Sequence, residues 1–196
     1  IPALSPRFDL DHLVFPYAER LFGRILVSTA EYRSGFRVDS CQLWLDSGGF
    51  AAFNPSSRVR ESAGLGHLIC ADGTSITPQR VHDLAHTLGA QVEFTLDFPT
   101  RDDSKRDAYQ QLSLRNALWT LTQPRRRLVY AAVQPGQDIM PILRANPDGI
   151  GLGGLVPWAR DHTSLHQEVR RVREQLPDSL PLHVFGIGHP DALRVI

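Results

Sequence analysis

Two aspartates stand where apolar runs of the sequence end, and they are the first candidates for chemistry. Residues 43–50 read Leu-Trp-Leu-Asp-Ser-Gly-Gly-Phe, which places Asp46 between an apolar run and a pair of glycines. Asp97 likewise follows the largely apolar residues 92–96. A carboxylate in this position can act as a general acid, a general base or a nucleophile. It can also accept two N–H hydrogen bonds from a flat heterocycle, which adjacent glycines allow to approach the backbone closely.

Three later apolar runs end in an amide or in glycines. Gln134 follows residues 128–133, residues 153–155 are Gly-Gly-Leu, and residues 186–189 are Gly-Ile-Gly-His. An amide side chain offers both a donor and an acceptor. Neither G-x-x-x-x-G-K-[ST] nor G-x-G-x-x-G stands where a phosphate cradle would require it. The set therefore favours a purine-like base over a phosphate as the ligand.

The elements that must position these residues follow from the hydrophobic pattern. Continuous apolar runs are typical of parallel strands that are buried on both faces. Helix-period segments lie between them, and the first begins at Thr77-Pro78, with Thr77 as N-cap. The predicted strands are Ile25–Ser28, Gln42–Asp46, Val92–Asp97, Leu128–Gln134, Gly149–Leu155 and Leu182–Gly188.

Alternating strands and helices predict an α/β fold, either a (β/α) TIM-type barrel or an open sheet. In both architectures the functional groups collect at the carboxyl ends of the strands, so the residues above should share one mouth. A complete eight-stranded barrel takes roughly 250 residues. The six strands over 196 residues therefore predict one domain, residues 1–196, whose barrel is incomplete at the C-terminus.

Composition excludes several classes of protein. Lys plus Arg and Asp plus Glu number 21 each, so any nucleic-acid contact needs a local patch. No apolar run reaches the ~20 residues that span a bilayer, and the two cysteines form no C-x-x-C pair. We expect a cytoplasmic protein without a metal or cofactor.

His82 and His86 share a helix but lack a third ligand, so we interpret them as a solvated helix face rather than a metal site. We interpret the basic run at residues 125–127 in the same way, as a solvated strand entry.

Six motifs, in this order, resemble those of the tRNA-guanine transglycosylase superfamily. They cover roughly residues 43–191, and it is their order along the chain that makes the resemblance specific. The family patterns are DSGGF, DG with TPE, DECP, VQGG, IGGL and GVGHP. Their counterparts are Asp46-Ser47-Gly48-Gly49-Phe50, Asp72-Gly73-Thr74 with Thr77-Pro78-Gln79, Leu96-Asp97-Phe98-Pro99, Val133-Gln134-Pro135-Gly136, Gly151-Leu152-Gly153-Gly154-Leu155 and Phe185-Gly186-Ile187-Gly188-His189-Pro190.

The resemblance implies a barrel enzyme that exchanges a guanine in nucleic acid for a 7-deazaguanine. It implies that Asp46 is the general acid or base near the sugar and that Asp97 binds the Watson–Crick edge of the purine. The remaining residues that it assigns to substrate binding are Ser47, Phe50, Gln134, Gly153, Gly154 and Leu155. The implied partners are the guanine or 7-deazaguanine base and a tRNA or DNA, with a homodimer or partner subunit as a further expectation.

Departures from the family pattern leave two alternatives open. The covalent nucleophile, a second Asp, and the zinc site of the family would lie beyond Ile196, which predicts a fragment or truncated barrel. Leu96-Asp97-Phe98-Pro99 in place of DECP resembles the DNA-modifying branch, which inserts a 7-deazaguanine precursor into DNA. The second alternative is a non-catalytic subunit that binds a base or a partner.

Each candidate residue also has a purely structural interpretation. Asp46 before two glycines can form an Asx-turn, and Asp97 before Phe-Pro can be an ordinary strand-end turn acid. Gln134 can be a surface amide, and residues 153–154 can form a tight turn without a ligand.

Overall fold

The computed structural model describes residues 1–37, 41–158, 160–188 and 190–194. His189 of the last motif lies outside the described residues. Of the described helices, none combines the length and the apolar character that crossing a membrane requires.

Sixteen helices and strands carry the described fold, together with short 3-10 turns. In chain order they are α1 (Asp9–Val14), α2 (Ala18–Phe22), β1 (Arg24–Ser28), β2 (Gln42–Asp46), β3 (Arg58–Ser62), β4 (Leu65–Ile69), β5 (Ser75–Ile76), α3 (Pro78–Thr87), β6 (Val92–Phe94), α4 (Asp103–Thr122), β7 (Leu128–Val133), α5 (Met140–Arg144), β8 (Gly149–Leu152), α6 (His162–Arg173), β9 (Leu182–Val184) and α7 (Pro190–Leu193).

Six parallel strands form one open sheet in the order β1-β2-β6-β7-β8-β9. They are the six predicted strands, and the α/β prediction of a partial TIM-type barrel is confirmed as an open half-barrel. Four strands end earlier than predicted, because β6, β7, β8 and β9 leave the ladder before most of their motif residues. The motif residues therefore lie on the loops of the mouth, where side chains and backbone are free to contact a ligand.

The two faces of the sheet differ, because successive side chains of a strand point to opposite faces. Helices cover the outer face with two aliphatic clusters. The inner face is largely aromatic, and Phe94 and Tyr130 pack edge to face with centroids 5.4 Å apart. Gly151 of β8 is required there, because a Cβ would lie 2.8 Å from the Phe94 ring. The inner cluster holds Leu26, Trp44, Val92, Phe94, Tyr130 and Phe185.

Helix α3 begins as its sequence predicts, while the interpretation of its solvated face is wrong at His82. Thr77 Oγ1 accepts a hydrogen bond from the N–H of Arg80 at 3.0 Å. The His82 side chain is only 12% exposed and contacts the fully buried Glu93. The solvated interpretation also fails at Arg127, whose guanidinium pairs with Glu93 at 2.6 Å. A buried carboxylate needs such a partner. Glu93, which the sequence-based interpretation did not take into account, explains why His82 and Arg127 are not solvated.

A three-stranded antiparallel sheet, β3-β4-β5, stands between β2 and α3 and was not predicted. Its first hairpin turns at Ala63 and Gly64, which have φ of 50° and 79°. Two successive residues with positive φ define the tightest hairpin turn, but the sequence usually signals it by Asn-Gly. The Asn116 side chain of α4 hydrogen-bonds both the N–H and the C=O of Gly66, which fixes the hairpin beside the mouth.

Candidate active site

The four central motifs meet at the carboxyl edge of the half-barrel. Asp46 is the last residue of β2, and Asp97 follows three residues after the end of β6. Gln134 directly follows β7, and Gly153 directly follows β8. These four strands are successive neighbours in the sheet, so parallel pairing brings residues from distant parts of the chain to one mouth.

Asp97 lies at the centre of the site, held by the side chains on either side of it. The Ser47 hydroxyl donates to Asp97 Oδ1 at 3.3 Å, and the Gln134 amide donates to Asp97 Oδ2. Ser47 is fully buried and also accepts the N–H of Gly49 at 3.2 Å. Asp97 itself is 8% exposed. A carboxylate has about four acceptor positions, so these two bonds fix its plane and leave capacity for donors on a ligand.

Glycines allow the loops of the mouth to approach this carboxylate. A Cβ on Gly49 would lie 2.3 Å from the carbonyl oxygen of Asp97 and 2.4 Å from its Oδ1. On Gly154, whose φ is +71°, a Cβ would lie 2.4 Å from Gln134 Oε1. Gly153 lies beside the same two side chains and donates its N–H to the carbonyl oxygen of Val133 at 2.9 Å. Only glycine fits at the first two positions, since any side chain would displace Asp97 or Gln134.

Asp46 is half-buried beside this group and is oriented by its own turn. The N–H of Gly48 donates to Asp46 Oδ2 at 3.2 Å, and the Thr29 hydroxyl donates to the carbonyl oxygen of Asp46 at 2.9 Å. Asp46 has the same parity as Trp44 on β2, so it projects from the inner face of the sheet. The structure thus presents it to the mouth and not to the helices.

Burial raises the pKa values of both carboxyl groups towards neutral pH. Desolvation raises the pKa of Asp46 to about 6, against the opposing hydrogen bond from Gly48. Desolvation and, to a smaller extent, the negative charge of Asp46 together raise the pKa of Asp97 to about 7. Two carboxyl groups that titrate between pH 5 and 8 are typical of acid–base sites, because each can exchange a proton under physiological conditions.

The site residues open into two cavities of the mouth. Gln134 and Gly154 line one of about 500 Å³, together with Trp158 and the acidic Glu168. Asp46 and Phe50 line another of about 570 Å³, on the side of β1. Volumes in this range suit small-molecule ligands. Ser47 and Asp97 are buried, and Asp97 reaches the first cavity only through its hydrogen bond to Gln134, which lines it.

Two of the predicted residues lie apart from the Asp97 cluster. Phe50 is 59% exposed and packs edge to face on Phe53, with ring centroids 5.1 Å apart. The side chain of Leu155 is fully buried in the outer aliphatic core. Its carbonyl oxygen accepts the N–H of Trp158 at 2.8 Å. Leu155 therefore contributes backbone and a fixed turn, while Phe50 offers a ring to the solvent.

Sequence reasoning missed the residues that hold the Gln134 turn. Gln137 is 4% exposed, and its side-chain oxygen accepts the N–H of Gln134 at 3.0 Å. Glu168 of α6 accepts the N–H of Gly136 at 3.0 Å, and Gln110 of α4 donates to the carbonyl oxygen of Pro135 at 3.1 Å. A second Gln three residues after the first was the only local signal. The other two contacts arise from tertiary structure and leave no trace in spacing.

No metal centre is indicated in the part of the chain that the structure describes. Residues 1–37, 41–158, 160–188 and 190–194 contain no group of three or more His, Cys, Asp or Glu side chains arranged to hold an ion. His82, one of the two histidines of α3, lies within hydrogen-bond distance of Glu93 and Arg127 at the opposite end of the sheet.

Comparison with known proteins agrees with this geometry. Residues 33–195 match the family described as Queuine tRNA-ribosyltransferase. The chain is also 22% identical over 166 residues to a Queuine tRNA-ribosyltransferase of Baumannia cicadellinicola subsp. Homalodisca coagulata. That alignment covers 76% of this chain and 44% of the relative, so the chain spans under half of that protein's length. Because the family match covers most of the sequence, the chain belongs to the queuine tRNA-ribosyltransferase (TGT) family.

Proposed function

We propose that this chain carries the base-binding and acid–base part of a transglycosylase that exchanges guanine in a tRNA for a 7-deazaguanine. The observation that supports it is the buried carboxylate of Asp97, fixed by Ser47 and Gln134 beside Asp46 at the mouth of a half-barrel. In the exchange, the bond from the sugar carbon to the leaving guanine breaks and a bond to the incoming base forms. One base replaces another, so no oxidant or reductant is needed.

The roles of the two acids follow from their surroundings. Asp97, held in one plane, accepts N–H groups from the Watson–Crick edge of a guanine-type base, and adenine lacks that pair of donors. The Gln134 amide and the backbone of residues 153–155 complete the pocket. Asp46, whose pKa of about 6 keeps both of its protonation states accessible, moves a proton near the sugar. Phe50 stacks on a base that has been turned out of its helix.

Calorimetric titration with a free 7-deazaguanine, guanine and adenine tests the pocket without requiring a polynucleotide. The wild-type protein should bind the first two and not adenine. Asp97→Asn should lose this binding, while the exposed Asp107→Asn should retain it. Equal binding of adenine, or full binding by Asp97→Asn, would remove the basis for this pocket.

Two alternatives can be distinguished from this proposal by the nucleic acid that is modified and by whether any base exchange occurs. Phe98, which departs from the family pattern, is 1% exposed, and a Cβ on Gly66 of the added hairpin would lie 2.4 Å from its ring. Phe98 is therefore part of the packed interior. We accordingly test the DNA-modifying branch, to which this departure is similar. Labelled base should enter tRNA under the first proposal and duplex DNA under the second. Base binding without exchange into either would support the non-catalytic subunit.

A further inference from the structure

Arg101 presents a positive charge at the mouth, two residues after the motif that contains Asp97. Its exposed side chain lines the 500 Å³ cavity that Gln134 and Gly154 also line. The guanidinium carbon lies 5.4 Å from the centroid of the Phe53 ring, which is a cation–π distance. Among the residues that the structure describes, no carboxylate lies within 4 Å of this guanidinium, the distance that defines the ion pairs found here.

The other charged side chains of this cavity are already neutralised. Arg106 pairs with Asp103 one turn earlier on α4. Glu168 pairs with Arg171 at 2.6 Å, a contact within α6. The cavity therefore keeps one cation, Arg101, whose charge is not balanced by a described neighbour. Such a site attracts an anion, and the planar guanidinium suits the paired oxygens of a phosphate or a carboxylate.

The position of Arg101 identifies which anion fits. Phe53, on which it stacks, belongs to the turn after Asp46, and the exposed ring of Phe50 lies against it. Arg101 thus lines the Gln134 cavity and stacks on Phe53, which lines the Asp46 cavity, so its exposed guanidinium lies between the two openings. A base bound at Asp97 leaves its sugar and phosphates outside, because the charged backbone stays hydrated.

We propose that Arg101 binds a backbone phosphate next to the nucleotide whose base enters the pocket, an inference that rests on the proposed function. Phe53 holds the guanidinium in place for this contact. A negatively charged group on the base itself is the competing occupant. It is less favoured because Arg101 is exposed at the rim, while the residues that read the base are buried.

The salt dependence of nucleic-acid binding tests the contact directly. The probe is an RNA stem–loop with an unpaired guanine in its loop, titrated at several salt concentrations. Arg101→Gln should weaken binding roughly fivefold near physiological salt, and it should reduce the slope of log K against log salt by about 0.7 for a single-stranded contact. Arg101→Lys should restore most of the slope, and Phe53→Leu should weaken binding less than Arg101→Gln.

Two controls keep this inference separate from the proposed function. Arg106→Gln removes a cation from the same cavity, but that cation is already paired with Asp103, so it should change the slope much less. Free 7-deazaguanine should bind Arg101→Gln as it binds the wild type. An unchanged slope, or a loss of free-base affinity in Arg101→Gln, would overturn the phosphate contact. Failure of the wild type to bind any free base would instead overturn the proposed function.

Discussion

Keeping Asp97 ionised in a buried pocket should cost stability, and that cost can be measured. Its pKa is raised from the ordinary 3.8 to about 7, chiefly by desolvation. Below pH 4 the carboxyl group is largely neutral in both the folded and the unfolded state. Between pH 4 and 7 the unfolded chain loses the proton that the folded chain keeps, so the free energy of unfolding falls as pH rises. Above pH 7 the loss is complete, at about 4 kcal/mol.

Asp97→Asn removes this charge and keeps the shape of the side chain. Its oxygen can still accept from Ser47, but its amide faces the amide of Gln134, and this mismatch costs about 1 kcal/mol. At pH 8 the variant should therefore be more stable than the wild type by roughly 2–3 kcal/mol. At pH 4 it should be less stable by about 1 kcal/mol, because only the mismatch remains.

Urea unfolding at pH 4, 6 and 8 measures both quantities on the same preparation. The exposed Asp107→Asn serves as the control, since it removes a carboxylate without touching the pocket. A variant that loses base binding and gains stability would show that the acid is kept for function. An Asp97→Asn protein equally destabilised at pH 4 and pH 8 would refute the reasoning, because the buried charge would then carry no penalty.

Three further predictions follow from contacts of the site and of the sheet. Affinity for free 7-deazaguanine should rise with pH and level off above about 7, because Asp97 must be ionised to accept N–H groups; a flat calorimetric profile between pH 5.5 and 8 would contradict this. Gly49→Ala should abolish base binding and destabilise the fold by roughly 1–3 kcal/mol, whereas Gly188→Ala, which has open space around it, should do neither. Arg127→Ala leaves the buried Glu93 without its main partner and should cost about 3–5 kcal/mol in urea unfolding.

Hydrophobic runs predicted the sheet well, since its central strands β6, β7 and β8 are buried on both faces. All six parallel strands lie where continuous apolar residues predict them, and β2 has its predicted bounds of Gln42–Asp46. The carboxyl-end rule then placed Asp97 and Gln134 together, although 37 positions separate them. That contact is long-range in sequence but is fixed by pairing between neighbouring strands, so it was predictable without side-chain detail.

What the sequence did not predict lies where tertiary contacts override local signals. Strand β3 has mostly exposed residues, and the hairpin that it forms with β4 turns at Ala63-Gly64, so neither an apolar run in β3 nor a typical turn pair indicates it. Arg127 stands in a basic run that reads as solvated, yet Glu93 on the neighbouring strand draws it into the interior. Gln137 and Glu168 accept hydrogen bonds from backbone N–H groups, and no sequence motif indicates such contacts.

The neighbouring acids of the site differ in what surrounds them, and this difference explains how one mouth can serve two roles. Asp97 receives side-chain donors on both oxygens, so its orientation is fixed whether or not a base is present. Asp46 is held mainly by its own turn and opens towards a separate cavity. The charge of Asp46 raises the pKa of Asp97, so a proton gained by Asp46 would favour ionisation of Asp97. Under the proposed function, base recognition and proton transfer are thereby coupled electrostatically, and Ser47, which hydrogen-bonds both carboxyl groups, connects the two acids.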